Sequence, residues 1–314
     1  MYRKIIEVKL MEKLRKISFF DKYLTVWVIL CMAIGIGIGE FIPSIPSFLN
    51  KFEYSNVSIP IAVLIWLMIY PMMMKVDFKS IKKVSENPKG LYITWVVNWL
   101  IKPFTMYAIA SLFFLVIFKE IIPVDLAKDY LVGAVLLGAA PCTAMVFVWS
   151  HLTKGDPAYT VVQVATNDII VLIAFVPIVK LLLNLTNVSV PWSTLLLSVA
   201  LFVVVPLVLG MITRSTVIKR KGLDYFNNRF ITKFNNVTVI GLLLTLIIIF
   251  SFQGKVILEN PLHIVLIGIP LTIQTFLIFF IAYGASKYFK LNHNVAAPAG
   301  MIGASNFFEL AVAV

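Results

Sequence analysis

Residues 130–150, YLVGAVLLGAAPCTAMVFVWS, form a charge-free apolar run that is long enough to cross a lipid bilayer. Because lipid offers the backbone no hydrogen-bonding partner, a spanning run of this kind must be helical. Its centre holds Gly138-Ala139-Ala140-Pro141, where small side chains cover the backbone poorly and a proline removes a helical hydrogen bond. We therefore expect two half-helices, the second beginning near Pro141, with Cys142 and Thr143 in its first turn.

The remainder of the chain has the composition of a membrane protein. Of its 314 residues, 60% are hydrophobic and 13% are charged, about half the charged share of an ordinary soluble domain. The mean hydropathy of +0.95 excludes a soluble surface, and the sequence has no series of short alternating strands of the kind that forms a transmembrane barrel. These features predict an all-α polytopic membrane protein with nine visible spanning runs, at 23–42, 58–74, 91–118, 130–150, 159–183, 192–212, 237–252, 262–283 and 295–314.

The basic residues are concentrated in a few segments between these runs. Residues 1–22 carry seven Lys and Arg, and residues 213–236 carry six of the total of 27. The positive-inside rule then places the N-terminus in the cytoplasm of a multi-pass cell (plasma) membrane protein. The net charge of +12 has the same origin and does not indicate nucleic-acid binding. Apolar residues recur on one helical face of residues 1–22, which predicts an interfacial helix on the inner leaflet; a solvated basic tail is the alternative.

The number of runs suggests how the domains are arranged. Nine spans from a cytoplasmic N-terminus would leave Val314 outside, so we expect about ten helices, with the last one missing from this sequence. Ten helices divide into two halves of five, residues 23–184 and 185–314, and an odd number per half inverts the second half relative to the first. An Ala-Ala-Pro tripeptide occurs in both the fourth run (139–141) and the ninth (296–298).

The ninth run carries a second predicted break. Pro298, Gly300 and Gly303 weaken the helix, and Asn306 follows as a favourable N-cap. Glu309 stands at the capping-box position three residues later, in the first turn of another half-helix.

Few ionisable residues lie deep inside the runs, and burying a charge there costs about 3 kcal/mol or more. Glu309 and Asp168 are the deep acids. Glu309 is either a proton carrier facing a cavity or a structural cap, and Asp168 is either an ion ligand or part of a structural hydrogen-bonded pair with Asn167. Lys102 either pairs with an acid or extends its ammonium group to the interface. Asn98, one turn before Lys102, lines the same cavity in this interpretation.

The remaining motifs narrow the function class. The two cysteines, Cys31 and Cys142, exclude a disulfide scaffold and a thiolate metal cluster. Cys31 is interpreted as a small apolar filler, whereas Cys142 at a helix N-terminus is interpreted as a reactive thiol. Gly35 and Gly39 fit a small-xxx-small helix-packing face. With no HExxH or GxSxG motif, the sequence predicts neither an enzyme nor a cofactor-binding protein.

Three segments in order resemble the arsenical-resistance (arsenite efflux) permeases. They are residues 138–150 with 153–156, residues 58–62 with 70–76, and residues 303–312. The resemblance implies the fold of the bile-acid sodium symporters, with two inverted five-helix repeats, panel and core domains, and two broken helices that cross. It also implies that Cys142 is the essential cysteine and Glu309 the essential glutamate. Many members of that family have Arg before the cysteine, where this chain has Pro141, so the role of that Arg is not transferred.

The resemblance predicts a secondary active transporter that exports arsenite, or antimonite, in exchange for protons. Trivalent arsenic is soft and prefers sulfur, so Cys142 binds it as substrate among the oxygen donors Thr143, Ser305 and Asn306, and Glu309 couples protons. The energy comes from an ion gradient or a soluble partner ATPase. A sodium-coupled organic-anion symporter of the same fold is the alternative, and a membrane-embedded enzyme or receptor is the alternative from another class. Four residues form either a second layer of side chains behind these substrate ligands or an ion site: Asn98, Lys102, Asn167 and Asp168.

Overall fold

The structure is a computed structural model that describes residues 23–54, 57–75, 88–142, 146–185 and 192–307. The predicted interfacial segment 1–22 and the predicted site residues Thr143 and Glu309 lie outside these ranges.

The described part of the chain is helical apart from one two-residue hairpin, which pairs β1 (Glu53–Tyr54) with β2 (Val57–Ser58) in antiparallel register. The predicted all-α class is therefore confirmed. Within the described residues, each of the nine apolar runs contains helix, and the fourth and ninth also contain a break. The helices are α1 (Leu24–Phe41), α2 (Ser44–Asn50), α3 (Ile59–Met73), α4 (Lys89–Ile117), α5 (Val124–Gly138), α6 (Val146–Leu152), α7 (Pro157–Asn184), α8 (192–225), α9 (Asn235–Glu259), α10 (Pro261–Tyr288) and α11 (His293–Ala304).

Several of these helices can cross a membrane by their length and composition. Four helical stretches of the described residues qualify, and a fifth does if α1 and α2, bent by 94°, are counted as one span. The four are Lys89–Ile117, Tyr159–Asn184, Leu195–Glu259 and Pro261–Tyr288. These stretches agree with the prediction of a polytopic membrane protein.

The segment 213–236 is helical, although the sequence predicts a loop there. Helix α8 continues past the apolar run because its Lys, Arg and Leu residues are good helix formers even where they no longer face lipid. The helix is interrupted at Gly222, whose φ of 85° is open to glycine and costly for other residues. A π-turn (Phe226–Phe230) and a 3₁₀ turn (Ile231–Phe234) then lead into α9.

Helices α1 and α9 pack closely through glycines. A Cβ at Gly35 would lie 2.6 Å from the carbonyl oxygen of Ile247, and one at Gly39 would collide with the carbonyl of Ser251. A Cβ at Gly37 would meet nothing within 4 Å. The predicted small-xxx-small face is therefore confirmed, because only glycine allows the two backbones to approach this closely.

A second assembly surrounds the two predicted breaks. Helix α11 packs against α4, α6, α7 and α10, and α4 packs against α5. The largest buried apolar cluster extends through α4, α5 and α7 and includes Ala139, Ala140 and Phe307. This packing holds the ends of the broken helices against one another. The division into inverted repeats at residue 185 stays a prediction.

Candidate functional site

The first break lies where the sequence predicts it. Helix α5 ends at Gly138, residues 139–142 are not helical, and α6 begins at Val146. A Cβ at Gly138 would lie 2.6 Å from side-chain atoms of Met106, so the close approach of α4 requires glycine at this point. Cys142 therefore lies in the break itself, before the described start of α6, so the prediction that it belongs to the first helical turn is wrong. It is 6% exposed and does not form a disulfide.

The second break includes Asn306, the predicted N-cap, but it does not begin at Pro298. Helix α11 continues through Pro298 without interruption and ends only at Ala304, so the expectation that Pro298 weakens this helix is wrong. Proline at 298 cannot bond the carbonyl of Asn294, but the backbone N–H of Asp156 donates to that oxygen at 2.8 Å. The neighbouring loop thus replaces the missing hydrogen bond. The described part of the break is residues 305–307.

The two breaks contact each other directly. The backbone N–H of Phe307 donates to the carbonyl of Ala140 at 3.1 Å. The hydroxyl of Ser305 lies 3.2 Å from the carbonyl oxygen of Cys142 and 2.7 Å from that of Ile302. Backbone groups that lose their helical partners in one break therefore find partners in the other, as buried backbone groups must. Cys142, Ser305 and Asn306, three of the four predicted substrate ligands, are brought to one place.

Lys102 reaches into this crossing from α4. Its side chain is 0% exposed, so the alternative in which it extends to the interface is wrong. Its ammonium group donates to the carbonyl oxygen of Ala140 at 3.4 Å and to that of Ser305. It also lies close enough to Cys142 for the two groups to interact electrostatically. A buried lysine side chain thus lies between the two breaks, beside the thiol.

Asn98, Trp99 and Asn167 form a polar cluster between α4 and α7. The side-chain amide of Asn98 and the indole N–H of Trp99 both donate to Oδ1 of Asn167, each at 3.0 Å. The amide of Asn167 in turn donates to the carbonyl of Gln163 at 2.8 Å. Asp168 is buried next to Asn167 along α7. Of the predicted second-layer residues, Asn98 and Asn167 are therefore hydrogen-bonded to each other, and Asp168 follows Asn167 in α7.

Asn98 also connects this cluster to the second break. Its Oδ1 atom is buried without a hydrogen-bond partner among the described residues, and a Cβ at Gly303 would lie 3.6 Å from it. Oδ1 of Asn306 is likewise buried and unpartnered within the described ranges. These two oxygens are available to a bound group, because buried polar atoms are otherwise nearly always bonded.

Sequence reasoning missed Gln163 and Thr166. Gln163 donates to the carbonyl of Gly90, to the hydroxyl of Thr94 at 2.8 Å, and to the hydroxyl of Tyr159. Thr166 accepts from the indole of Trp95 at 3.1 Å. A signal was present in the sequence, since residues 163, 166 and 167 are polar at i, i+3 and i+4 spacing and so share one face of an apolar helix.

Comparison with known proteins agrees with this arrangement. The Sodium Bile acid symporter family matches residues 62–260, which include α4, the first break and the polar cluster on α7. The chain belongs to this family. Its members are transporters, so this symporter-family chain is a multi-pass membrane transporter and not an enzyme.

Individual relatives define the branch of the family more closely. The chain is 65% identical over 298 residues to the arsenical-resistance protein Acr3 of Alkaliphilus metalliredigens, covering 95% of this chain and 84% of that protein. It is 32% identical over 308 residues to Acr3 of Corynebacterium glutamicum, covering 95% and 80%. It is also 43% identical to the uncharacterized transporter slr0944 of Synechocystis, again covering 95% and 80%. The resemblance drawn from the three sequence segments is therefore confirmed.

Proposed function

We propose that this transporter exports arsenite from the cytoplasm, with antimonite as a related substrate, and that the crossing of the two breaks is its binding site. The observation that carries the proposal is the position of Cys142, a thiol in a non-helical segment that contacts the second break through Ser305. The similarity to two arsenical-resistance proteins supports the choice of substrate.

Binding through one sulfur fits the chemistry of trivalent arsenic. The thiol of Cys142 exchanges with one hydroxyl of arsenous acid, so that a sulfur–arsenic bond forms, an oxygen–arsenic bond breaks, and the thiol proton leaves with the hydroxyl as water. Water reverses the exchange on the other side of the membrane. Arsenic is soft and prefers sulfur, but a single thiol with oxygen donors around it still permits release. Ser305, Asn306 and Thr143 are the oxygen donors in this proposal.

The adjacent charges suit an oxygen-rich substrate. Lys102 is buried beside Cys142 and donates to both breaks, so it stabilises a thiolate and the oxygens of a bound arsenic species. Asn98, fixed by Asn167, faces the second break. Asp168, buried on the same helix as Asn167, belongs to this second layer or to an ion site.

Proton exchange through Glu309 supplies the driving force in this proposal. An intramembrane carboxyl that is protonated outside and deprotonated inside switches the cavity between its two openings, while arsenic moves the other way. The helices that carry the breaks rock against the remaining helices, as in inverted-repeat carriers. No ATPase partner is needed for this cycle, and the N-terminus faces the cytoplasm.

The central test replaces the thiol. In everted vesicles with a proton gradient, arsenite accumulation is expected to fall to the level of protein-free vesicles for Cys142→Ser, because a hydroxyl fits sterically but is a hard ligand. Cys31→Ser is the matched control, since Cys31 is equally buried but lies on α1, which packs mainly against α9. Full transport by Cys142→Ser would reject the thiol mechanism.

The family description favours one second candidate, a sodium-coupled organic-anion symporter. Such a carrier would not need Cys142. Sodium-driven uptake of taurocholate into right-side-out vesicles, unchanged by Cys142→Ser, would establish this alternative and replace the arsenite proposal.

A further inference from the structure

The ammonium group of Lys102 occupies a position that the described backbone builds for a cation. It is fully buried and donates to the carbonyl oxygens of Ala140 and Ser305, one oxygen from each break. These two carbonyls are separated by more than half of the chain. Lys102 bonds to both of them, and hydrogen bonds between the two breaks hold them close together.

The helix directions explain why a cation is stable there. Helix α5 ends at Gly138 and α11 ends at Ala304, so the contacted carbonyls lie two residues and one residue beyond helix C-termini. Each C-terminus carries a partial charge of about −0.5, and the two together match one monovalent cation. In secondary transporters, unwound carbonyls and half-helix C-termini are the groups that coordinate a coupling cation such as Na⁺.

Two residues close to this position along the chain carry further buried oxygens, although neither oxygen bonds the ammonium group. Oδ1 of Asn98, on the same helix one turn before Lys102, and Oδ1 of Asn306, which directly follows Ser305, are both buried without a hydrogen-bond partner among the described residues. Amide and carbonyl oxygens are the ligands that hard monovalent cations take.

We infer that Lys102 permanently fills a monovalent-cation site formed by the C-terminal ends of α5 and α11, so that this carrier joins its two breaks without binding Na⁺ or K⁺. The lysine is a positioning residue in this role, because it acts on the carbonyls that set the geometry of Cys142 and Ser305. The transport prediction below rests on the proposed arsenite export, whereas the stability prediction does not.

The test vacates the site in two ways. Lys102→Ala removes the cation and leaves room for another, while Lys102→Met keeps most of the volume and closes the site with an apolar chain. Met106→Ala is the matched control, since Met106 is also fully buried on α4 and its truncation opens space without removing a charge. Arsenite accumulation is measured in everted vesicles prepared in sodium, potassium or choline chloride.

The arsenite transport rate of the wild-type protein is expected to be the same in all three salts. The rate of Met106→Ala, whatever its value, is also expected not to depend on the salt. Lys102→Ala is expected to lose about tenfold or more of its rate in choline, the amount that one charged hydrogen bond contributes, and to recover it in sodium or potassium. Lys102→Met should stay inactive in every salt. Wild-type transport that requires Na⁺, or Lys102→Ala that is fully active in choline, would overturn the inference.

A second measurement requires no arsenite. The unfolding temperature of detergent-purified Lys102→Ala should rise on adding sodium or potassium chloride relative to choline chloride, and that of the wild-type protein, Lys102→Met and Met106→Ala should not. Lack of a cation-specific shift in folded Lys102→Ala would refute the cation site even if arsenite export is established. If Lys102→Ala shows this shift but the wild-type protein does not transport arsenite, the cation site would be supported and the proposed substrate would be rejected.

Discussion

Asn167 offers a quantitative test of the polar cluster between α4 and α7. Its Oδ1 atom accepts hydrogen bonds from the amide of Asn98 and the indole of Trp99, each at 3.0 Å, and all three side chains are buried. Asn167→Ala removes the shared acceptor and leaves two buried donors without it. The change is expected to destabilise the protein and to displace Asn98 from the second break.

The expected magnitude follows from the number of bonds lost. Interhelical side-chain hydrogen bonds in membrane proteins average about 0.6 kcal/mol and reach about 1.7 kcal/mol. Two such bonds give a loss of about 1–3 kcal/mol in the free energy of unfolding for Asn167→Ala. Trp99→Phe removes only one donor and leaves Asn167 bonded to Asn98, so its loss is expected to be about half as large.

A double-mutant cycle in mixed detergent micelles measures this directly, with unfolding by sodium dodecyl sulfate followed by circular dichroism. In the Asn167→Ala background, Trp99→Phe should cost almost nothing, because the indole has already lost its acceptor. Equal costs of Trp99→Phe in both backgrounds would refute the shared-acceptor reasoning. Arsenite transport measured on the same variants should fall with Asn167→Ala more than with Trp99→Phe, since only the former releases Asn98.

Three further predictions concern packing, coupling and topology. Gly39→Leu should lower the unfolding temperature, with an overpacking cost of about 1–3 kcal/mol against the Ser251 carbonyl, whereas Gly37→Leu, which faces open space, should leave it unchanged; equal effects would contradict the packing of α1 on α9. Glu309→Gln keeps the shape and removes the titration, so arsenite should still bind while export stops responding to a pH gradient; unchanged dependence on the gradient would make Asp168 the next candidate. Lys51→Cys and Asn187→Cys should react with an impermeant thiol reagent from outside intact cells, and reaction only after permeabilisation would reject the inverted topology.

Much of the fold and part of the site were predictable from the sequence because they depend on local chemistry. Long apolar runs must be helical in lipid, and this constraint acts on each run separately. The break at Gly138-Ala139-Ala140-Pro141 was also predictable locally, since small residues and a proline weaken a helix where no other group replaces the lost hydrogen bond. The same applies to Gly35 and Gly39, whose spacing alone defines a packing face.

Reasoning from local sequence was wrong where a distant group compensates. Pro298 remains inside α11 because the N–H of Asp156, from another loop, bonds the carbonyl that the proline leaves free. Lys102 remains buried because two carbonyl oxygens from different breaks accept hydrogen bonds from its ammonium group. Neither partner can be read from the residues next to Pro298 or Lys102 in the chain.

The sequence by itself determined that this chain is a helical membrane protein with a cysteine at a weakened helix and with few ionisable groups deep in its apolar runs. Only the tertiary structure decided that the two breaks contact each other, that Ser305 lies at the carbonyl of Cys142, and that Lys102 stands between them. The physical reason is that a broken helix leaves backbone groups unsatisfied, and lipid cannot satisfy them. Their partners must come from other parts of the protein, and the hydrogen bonds between the two breaks join segments more than 150 residues apart.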